Sequence, residues 1–406
     1  MRYAHIPARF QRFARHLSAA MALCSLILSG CGMPNAPWKK PIAPAGPVSP
    51  DVTVCLEGTA PEQLRATLKP AGRWIVMIPG ISSGDVAASC RLLQHLVNEE
   101  PASRGIFYDW GGGDPMRKVA SPIATERAGG DVLALCSALP GPDGQRPIID
   151  ILAHSAGTII ANKAANRLAR EGGTLRFRHV LFLGTPHDAN VDLTALKAAS
   201  DAIVNVHSNN DKINRTISDN MGRLNQLPGG PYRNVRMDTS LSGRIIRHYT
   251  FLTDTPENWH QYGTFLADGT WPEAGAIPSA PCSDVGRLHG AALSLQTQPP
   301  TEKSQTAGIH LALSCLESDN VQVKTYGAIL AAILKDQTLL DPLKRELEKM
   351  ECPPYLQNEI LQAMGNMATP EMVRYLQRQR KTSPESAEVL RDVLRRLKQE
   401  RIRPPR

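Results

Sequence analysis

The chain has 406 residues, of which 42% are hydrophobic, and this length and composition predict two domains with substantial hydrophobic cores. Its formal net charge of +8 comes from the two ends: four arginines lie in residues 1–30, and residues 371–406 hold eleven Lys or Arg against five Asp or Glu. The remainder of the chain sums to about −2, so the charge gives no support for nucleic-acid binding by the main domain.

Residues 1–30 predict a signal peptide that ends at a lipidation site. A basic segment without acidic residues is followed by an apolar stretch over 17–30, which is too short to span a bilayer. The stretch leads into Leu28-Ser29-Gly30-Cys31, which resembles a bacterial lipobox. The resemblance implies that residues 1–30 are removed and that Cys31 is acylated. We therefore expect a lipid-anchored protein of the bacterial cell envelope, in the outer membrane if one is present, with its globular part outside the cytoplasm.

Residues 31–72 begin with a Pro- and Ala-rich stretch and predict a tether that holds the globular part away from the membrane. Beyond residue 73, apolar strands alternate with helical stretches. The predicted strands are continuous apolar runs at 74–78, 105–110, 148–152, 180–183 and 202–207. Such runs are typical of a parallel sheet covered by helices on both faces, so we predict an α/β domain over 73–272.

The stretch 149–160 predicts the reactive residue of this domain. It reads as a buried strand, a tight turn with Ser155 at its tip, and a helix. The turn sequence is Ala153-His154-Ser155-Ala156-Gly157, which departs from the pattern Gly-x-Ser-x-Gly by one small residue. Small residues are needed because the strand and the helix approach closely around the serine. We therefore predict that Ser155 is a nucleophile.

Over residues 73–270 the chain resembles the α/β-hydrolase superfamily, and in particular its lipases and esterases. The resemblance rests on the Pro79-Gly80 turn after a central strand, the turn around Ser155, and Asp211 after the second strand beyond that turn. It implies an α/β-hydrolase fold in which an acid and then a histidine follow the serine. It also implies an oxyanion hole formed by the backbone N–H groups of Ile81 and Ala156.

Two histidines, His248 and His260, follow Asp211 in the order that this resemblance requires. His248 lies in a segment that predicts a strand, whereas His260 lies in a polar segment that predicts a loop. Because the family carries its histidine in a loop beyond the final strand, we predict His260 as the general base and keep His248 as the alternative. Asp211 is the predicted acid, with Asp238 and Asp254 as alternatives.

Residues 273–300 predict a connector, and residues 301–400 predict an all-α region. Apolar helical positions recur at 329, 360 and 389, with offsets of 31 and 29 residues. A period of this length is typical of stacked helix pairs. The region resembles HEAT-like repeats, which implies a surface for a protein partner; a helical bundle without repeats is the alternative. The basic residues of the final helix predict a solvated face, with contact to anionic lipid as the alternative.

Cysteine usage fits an exported protein. Apart from Cys24 and the predicted lipidation site, six cysteines remain: Cys55, Cys90, Cys136, Cys282, Cys315 and Cys352. An even number permits disulfides. Proximity along the chain suggests the pairs Cys55–Cys90 and Cys315–Cys352.

The sequence lacks the motifs of nucleotide, dinucleotide, zinc-protease and EF-hand sites, so we expect no cofactor and no metal. The predicted function is that of a membrane-anchored serine hydrolase that acts on a small-molecule or lipid carboxylic ester through an acyl-enzyme. One alternative is a non-catalytic hydrolase-fold scaffold that binds partners through its helical repeats. The other is an acyltransferase or thioesterase, because the same acyl-enzyme can react with other nucleophiles.

Overall fold

The computed structural model describes most of the chain from residue 51 onward. The described residues are 51–80, 83–100, 102–110, 121–211, 214, 222–252, 256–272, 284–299, 301–349, 352–379 and 384–400. The predicted signal peptide, Cys31 and residues 31–50 of the predicted tether lie outside the described residues, as do Ile81 and Asp254.

The chain divides into two compact units. Among the described residues, the sheet unit contains those up to 238 together with 246–252 and 266–269. The helical unit contains 239–245, 256–265 and the described residues from 270 onward. The helical unit therefore includes three described segments of the predicted α/β domain, 239–245, 256–265 and 270–272.

An eight-stranded sheet forms the centre of the sheet unit. Its strands are β1 (Val52–Leu56), β2 (Arg73–Ile78), β3 (Ser103–Asp109), β4 (Ile148–His154), β5 (Phe177–Leu183), β6 (Ser200–His207), β7 (Pro228–Gly229) and β8 (Tyr232–Arg236). Their order is β1-β3-β2-β4-β5-β6-β8-β7, and every neighbouring pair is parallel except β7 with β8. All of β2 and all but the first residue of β4 are buried, as expected for central strands covered on both faces. The prediction of an α/β fold with a mostly parallel sheet is confirmed.

Helices connect the parallel strands of this unit. They are α1 (Pro61–Thr67), α2 (Ser83–Glu99), α3 (Pro122–Ala138), α4 (Gly157–Arg170) and α5 (Thr194–Ala198). Helix α3 begins with a proline in its first turn, and the Ser121 Oγ accepts a hydrogen bond from the Ala124 N–H at 3.2 Å. This cap satisfies one of the N–H groups that the first turn leaves without a partner. The apolar faces pack into one core that includes Trp74, Ile151 and Phe182.

A buried carboxylate joins the beginnings of the central strands. Asp150 accepts hydrogen bonds from the Arg73 Nε at 2.6 Å and from the Arg178 Nη2 at 2.7 Å. Both guanidinium groups also donate to the Leu266 carbonyl, at 2.7 and 2.6 Å. That carbonyl belongs to the last turn of helix α6 (Pro256–Asp268), where positive charge is favourable. The charge of Asp150 is thus paired, which is the condition for burying it without a large penalty.

Three segments differ from the sequence predictions. Residues 51–72, predicted as part of the tether, contain β1 and α1, and β1 pairs with β3 at the edge of the sheet. Its Val54 and Leu56 side chains are exposed, so this edge strand lacks the continuous burial by which the inner strands were recognised. The strands β7 and β8 were not predicted either, and the predicted connector contains a helix over 285–297.

The helical unit consists of most of α6 and of the helices that follow it. These are α7 (Val285–Thr297), α8 (Glu302–Glu317), α9 (Val321–Leu334), α10 (Leu340–Leu347), α11 (Pro354–Asn366), α12 (Pro370–Arg378) and α13 (Pro384–Gln399). The recurring positions Ile329, Ile360 and Val389 are buried on α9, α11 and α13, and these helices pack in succession. Among the described residues, no helix has the length and apolarity required to cross a membrane.

The described cysteines do not support the suggested disulfides. Cys55, Cys90, Cys136 and Cys352 are buried free thiols, so the pairings Cys55–Cys90 and Cys315–Cys352 are wrong. Burial raises the pKa of Cys55, Cys136 and Cys352 to about 12, which keeps these thiols protonated at neutral pH. Cys282 lies outside the described residues.

Candidate active site

Ser155 stands at the carboxyl end of β4 in a strained turn. Its φ angle is +50°, in the left-handed region that residues with a side chain rarely adopt. Its N–H donates to the Leu183 carbonyl of the neighbouring β5 at 2.9 Å, and its own carbonyl accepts from the Thr158 Oγ1 at 2.7 Å. Strain of this kind persists only where the surroundings fix the backbone, and it is concentrated at functional sites.

Gly157 allows α4 to begin directly against β2. A Cβ atom on this residue would lie 2.1 Å from the Ile78 carbonyl oxygen and 2.9 Å from that of Pro79. Both obstacles are backbone atoms, which cannot rotate away. The predicted need for small residues around Ser155 therefore has a steric cause in the approach of helix to strand.

His248 links Ser155 to Asp211. The His248 Nε2 lies 2.8 Å from the Ser155 Oγ, and the Nδ1 lies 2.8 Å from the Asp211 Oδ2. The three side chains are buried, with relative exposures of 7% for the serine, 4% for the histidine and 1% for the aspartate. If the Nδ1 carries the proton that the carboxylate accepts, the Nε2 is free to accept the proton of the serine hydroxyl.

The carboxylate of Asp211, which follows β6, is oriented by Asn214. The Asn214 N–H donates to Oδ1 at 3.1 Å and its side-chain Nδ2 donates to Oδ2 at 2.9 Å. The same Nδ2 contacts the carbonyls of Gly184 and Thr185 at 3.1 and 2.9 Å, so it connects the Asp211 carboxylate to the turn after β5. Asn214 was not singled out from the sequence; its spacing of three residues from Asp211 is typical of a local turn.

A second histidine supports the segment that carries His248. The ring of His154 is buried beside Ser155, and its Nε2 lies 3.1 Å from the His248 backbone carbonyl. The two imidazole rings are 5.0 Å apart. On the other side, Gly184 has φ +56°, and a Cβ there would lie 3.4 Å from the His248 Nδ1. The ring of His248 is therefore enclosed by small and aromatic neighbours.

The prediction that His260 lies between Ser155 and Asp211 is wrong; His248, the alternative, occupies that position. His260 lies within α6, and its ring centroid lies 5.1 Å from that of His289 in the helical unit, with the two ring planes inclined by 51°. Burial lowers the pKa of His289 to about 3, and His260 adds to this effect. The error has two causes: residues 256–268 form a helix rather than a loop, and the segment around His248 is a 3₁₀ turn and irregular chain rather than a strand.

Asp238, the described alternative for the acid, occupies a different place. Its Oδ1 accepts from the Asn209 N–H at 2.7 Å, and its backbone carbonyl accepts from the Ile246 N–H at 2.9 Å. It therefore connects the loop that leads to Asp211 with the segment that leads to His248. Its carboxylate is not the one that His248 contacts.

One of the two predicted oxyanion donors lies in the described part of the chain. Ala156 precedes α4, and its N–H has no backbone acceptor among the described residues. The other, Ile81, lies outside the described residues. The turn before it is fixed because the Trp110 Nε1 donates to the Pro79 carbonyl at 2.9 Å. The role of Trp110 was not predicted, although the strand that ends there was.

Comparison with protein-family models, with curated proteins and with solved structures finds no match to this chain. In the part of the chain that the structure describes, no group of three or more His, Cys, Asp or Glu side chains could hold a metal ion. Functional conclusions therefore depend on the chemistry of the residues around Ser155.

Proposed function

We propose that this protein is a serine hydrolase of the α/β-hydrolase type that cleaves carboxylic esters through an acyl-enzyme. The observation that carries the proposal is the hydrogen-bonded series of Ser155, His248 and Asp211, with 2.8 Å at each contact of the histidine. A serine hydroxyl is a weak nucleophile at neutral pH and needs such a base, and the base needs a group that fixes its tautomer.

In the proposed reaction, the Ser155 Oγ attacks the ester carbonyl carbon while its proton passes to the His248 Nε2. Asp211 stabilises the imidazolium that forms. The tetrahedral intermediate collapses, and the alcohol leaves with the proton that Nε2 returns. Water then loses a proton to Nε2 and attacks the acyl-serine, which releases the acid and restores the serine hydroxyl.

The negative charge of each tetrahedral intermediate needs backbone donors. The Ala156 N–H, at the start of α4, is suited to this because it follows the nucleophile and adds the favourable dipole of the helix N-terminus. We assign the second donor to the N–H of Ile81 from the motif. Loss of one such donor typically costs about 100-fold in rate.

A fluorophosphonate probe tests the proposal directly, because it reacts only with activated serines. The wild-type protein is expected to be labelled and to hydrolyse 4-nitrophenyl esters, and Ser155→Ala is expected to lose both properties. Ser137→Ala, which removes an exposed serine of α3, is the matched control and should behave as the wild type. A folded wild type that is neither labelled nor active would favour a non-catalytic scaffold. A series of acyl chain lengths would distinguish small esters from lipid substrates.

We also propose that the protein is anchored by acyl chains on Cys31 at the surface of a bacterial envelope membrane. The support is the lipobox-like Leu28-Ser29-Gly30-Cys31 that follows a basic and apolar leader. Metabolic labelling with palmitate should mark the wild type, and Cys31→Ala should be unlabelled and leave the membrane fraction. Labelling that is unchanged in Cys31→Ala would refute the anchor.

A further inference from the structure

The β5 turn, residues 184–187, lies between the sheet and the proposed base. The Gly184 N–H donates to the Val206 carbonyl of β6 at 3.0 Å, and Gly184 has φ +56°. A Cβ atom at this position would lie 3.0 Å from ring carbons of Phe251 and 3.4 Å from the His248 Nδ1. The turn is therefore fixed to the sheet on one side and approaches the ring of His248 on the other. All of these residues belong to the sheet unit.

Two buried hydroxyls connect the β5 turn to the turn that carries Ser155. The Thr158 Oγ1, in the first turn of α4, donates to the Ser155 carbonyl at 2.7 Å and lies 2.8 Å from the Thr185 Oγ1. A hydroxyl has one proton and a carbonyl oxygen only accepts, so the Thr158 proton is committed to Ser155. Thr185 is therefore the donor in the second contact. Because both threonines are fully buried, water cannot replace either partner.

His187 makes a second connection between the β5 turn and the first turn of α4. Its Nε2 lies 3.2 Å from the Thr158 carbonyl, which only accepts, so this nitrogen carries the proton of the contact. The His187 N–H donates to the Thr185 Oγ1 at 3.3 Å. The Thr185 hydroxyl thus both donates and accepts, and each of its contacts has a defined direction.

The backbone of Thr185 connects the same turn to the proposed acid. The Asn214 Nδ2 donates to the Thr185 carbonyl at 2.9 Å and to the Asp211 Oδ2 at 2.9 Å. Together with the contacts of His248, these bonds close a ring in which each contact measures 2.7–2.9 Å. Its members are Ser155, His248, Asp211, Asn214, Thr185 and Thr158.

From this ring we infer that Thr185 is a positioning residue of the active site: its hydrogen bond to the Thr158 hydroxyl holds the turn of Ser155 in place relative to the acid and the base. The inference rests on the proposed function. Its physical basis is that a displacement of about 1 Å in a catalytic group can cost about 100-fold in rate. The Thr158 N–H also donates to the Ser155 carbonyl, at 3.0 Å. Loss of the hydroxyl pair should therefore displace the serine turn without unfolding it.

The test compares variants of the full chain by hydrolysis of 4-nitrophenyl butyrate. Thr185→Val keeps the shape of the side chain and removes its hydroxyl, so kcat should fall about tenfold with KM changed less than about twofold. Thr185→Ser restores the hydroxyl and should recover kcat to within about twofold of the wild type. The matched control is Thr125→Val on α3, which removes a buried hydroxyl that donates to the carbonyls of Ser121 and Pro122 and should leave kcat unchanged.

A double-mutant cycle separates positioning from a merely structural role. If the bond between the two hydroxyls carries the effect, Thr185→Val should lower kcat about tenfold in the wild type but less than about twofold when Thr158→Val is already present. A purely structural hydroxyl would instead lower stability against urea in Thr185→Val as it does in Thr125→Val, with kcat unchanged in both variants.

An active wild type with unchanged kcat in folded Thr185→Val would overturn the inference alone, and so would independent effects of the two valine substitutions. If Thr158→Val does not fold, the comparison of Thr185→Val, Thr185→Ser and Thr125→Val decides the matter, and equal kcat values for the first two would then count against the inference. A wild type that is neither labelled by the fluorophosphonate nor active on the ester would overturn the proposed function, and the inference with it.

Discussion

Ser155 and His248 are held in different ways. Ser155 is fixed by the strand that precedes it, the helix that follows it and the adjacent strand β5. His248 contacts partners that are distant in sequence, at separations of 37 residues to Asp211 and 94 to His154. The proposed nucleophile thus depends on local strand-turn-helix geometry, whereas the proposed base depends on tertiary contacts. Substitutions that disturb the turn at Ser155 should lower stability, whereas substitutions that disturb the contacts of His248 should lower kcat.

The largest expected effect distinguishes the two histidines. His248→Ala should lower kcat/KM by about 10⁴-fold or more, since the hydroxyl of Ser155 loses its proton acceptor. His260→Ala should change kcat/KM less than about threefold, because this ring packs against His289 rather than against the serine. Steady-state hydrolysis of a 4-nitrophenyl ester measures both, with circular dichroism as the check of folding. The reverse ranking would restore His260 as the base and remove the main support for the proposed triad.

The next effect tests the local geometry of the serine turn. Gly157→Ala places a Cβ 2.1 Å from the Ile78 carbonyl oxygen, so the start of α4 must move away from β2. The expected loss of stability is about 2–3 kcal/mol, measured by urea unfolding. Gly72→Ala is the matched control, because a Cβ there would meet no atom within 4 Å. Equal stabilities of the two variants would show that the close approach is not required.

The same contrast explains what the sequence could predict. The inner strands and the turn at Ser155 were predictable because continuous burial and a run of small residues have local causes. Asp211 was predictable because it follows a buried strand at the carboxyl edge of a parallel sheet. The edge strand β1 was missed because one of its faces is exposed. His248 was placed second because its segment is held by His154 and Ser208, and contacts over such distances leave no periodic pattern in the sequence.

A buried histidine beside the serine turn should make stability depend on pH. His187 is buried with its Nε2 3.2 Å from the Thr158 carbonyl, and burial lowers its pKa to about 4. At pH values between about 4 and 6.5, His187 binds a proton more readily in the unfolded chain than in the folded one. The free energy of unfolding therefore falls as the pH is lowered through this range. The contribution lost at pH 5 relative to pH 7 is about 2 kcal/mol.

His187→Gln should flatten this pH dependence, because a glutamine amide can donate to the same carbonyl without titrating. Unfolding by urea at pH 5 and pH 7 measures the difference. His95→Gln, which changes a partly exposed histidine on α2, should retain the slope of the wild type. An unchanged slope in His187→Gln would mean that other groups account for the acid sensitivity.

The smallest expected effect concerns Asn214, which contacts both the nearby Asp211 and the distant turn after β5. Asn214→Ala removes the side-chain hydrogen bond to the Asp211 Oδ2 and those to the carbonyls of Gly184 and Thr185 after β5. The backbone N–H remains, so the acid should be disordered only in part. We expect kcat to fall about tenfold with little change in KM, which corresponds to the net worth of one hydrogen bond to a charged group. Asn162→Ala, a buried amide of α4 whose Nδ2 contacts the Asp192 carbonyl, is the control and should keep the wild-type kcat. If Asn214→Ala instead matched Asp211→Ala, the orientation of the carboxylate would depend on this one side chain.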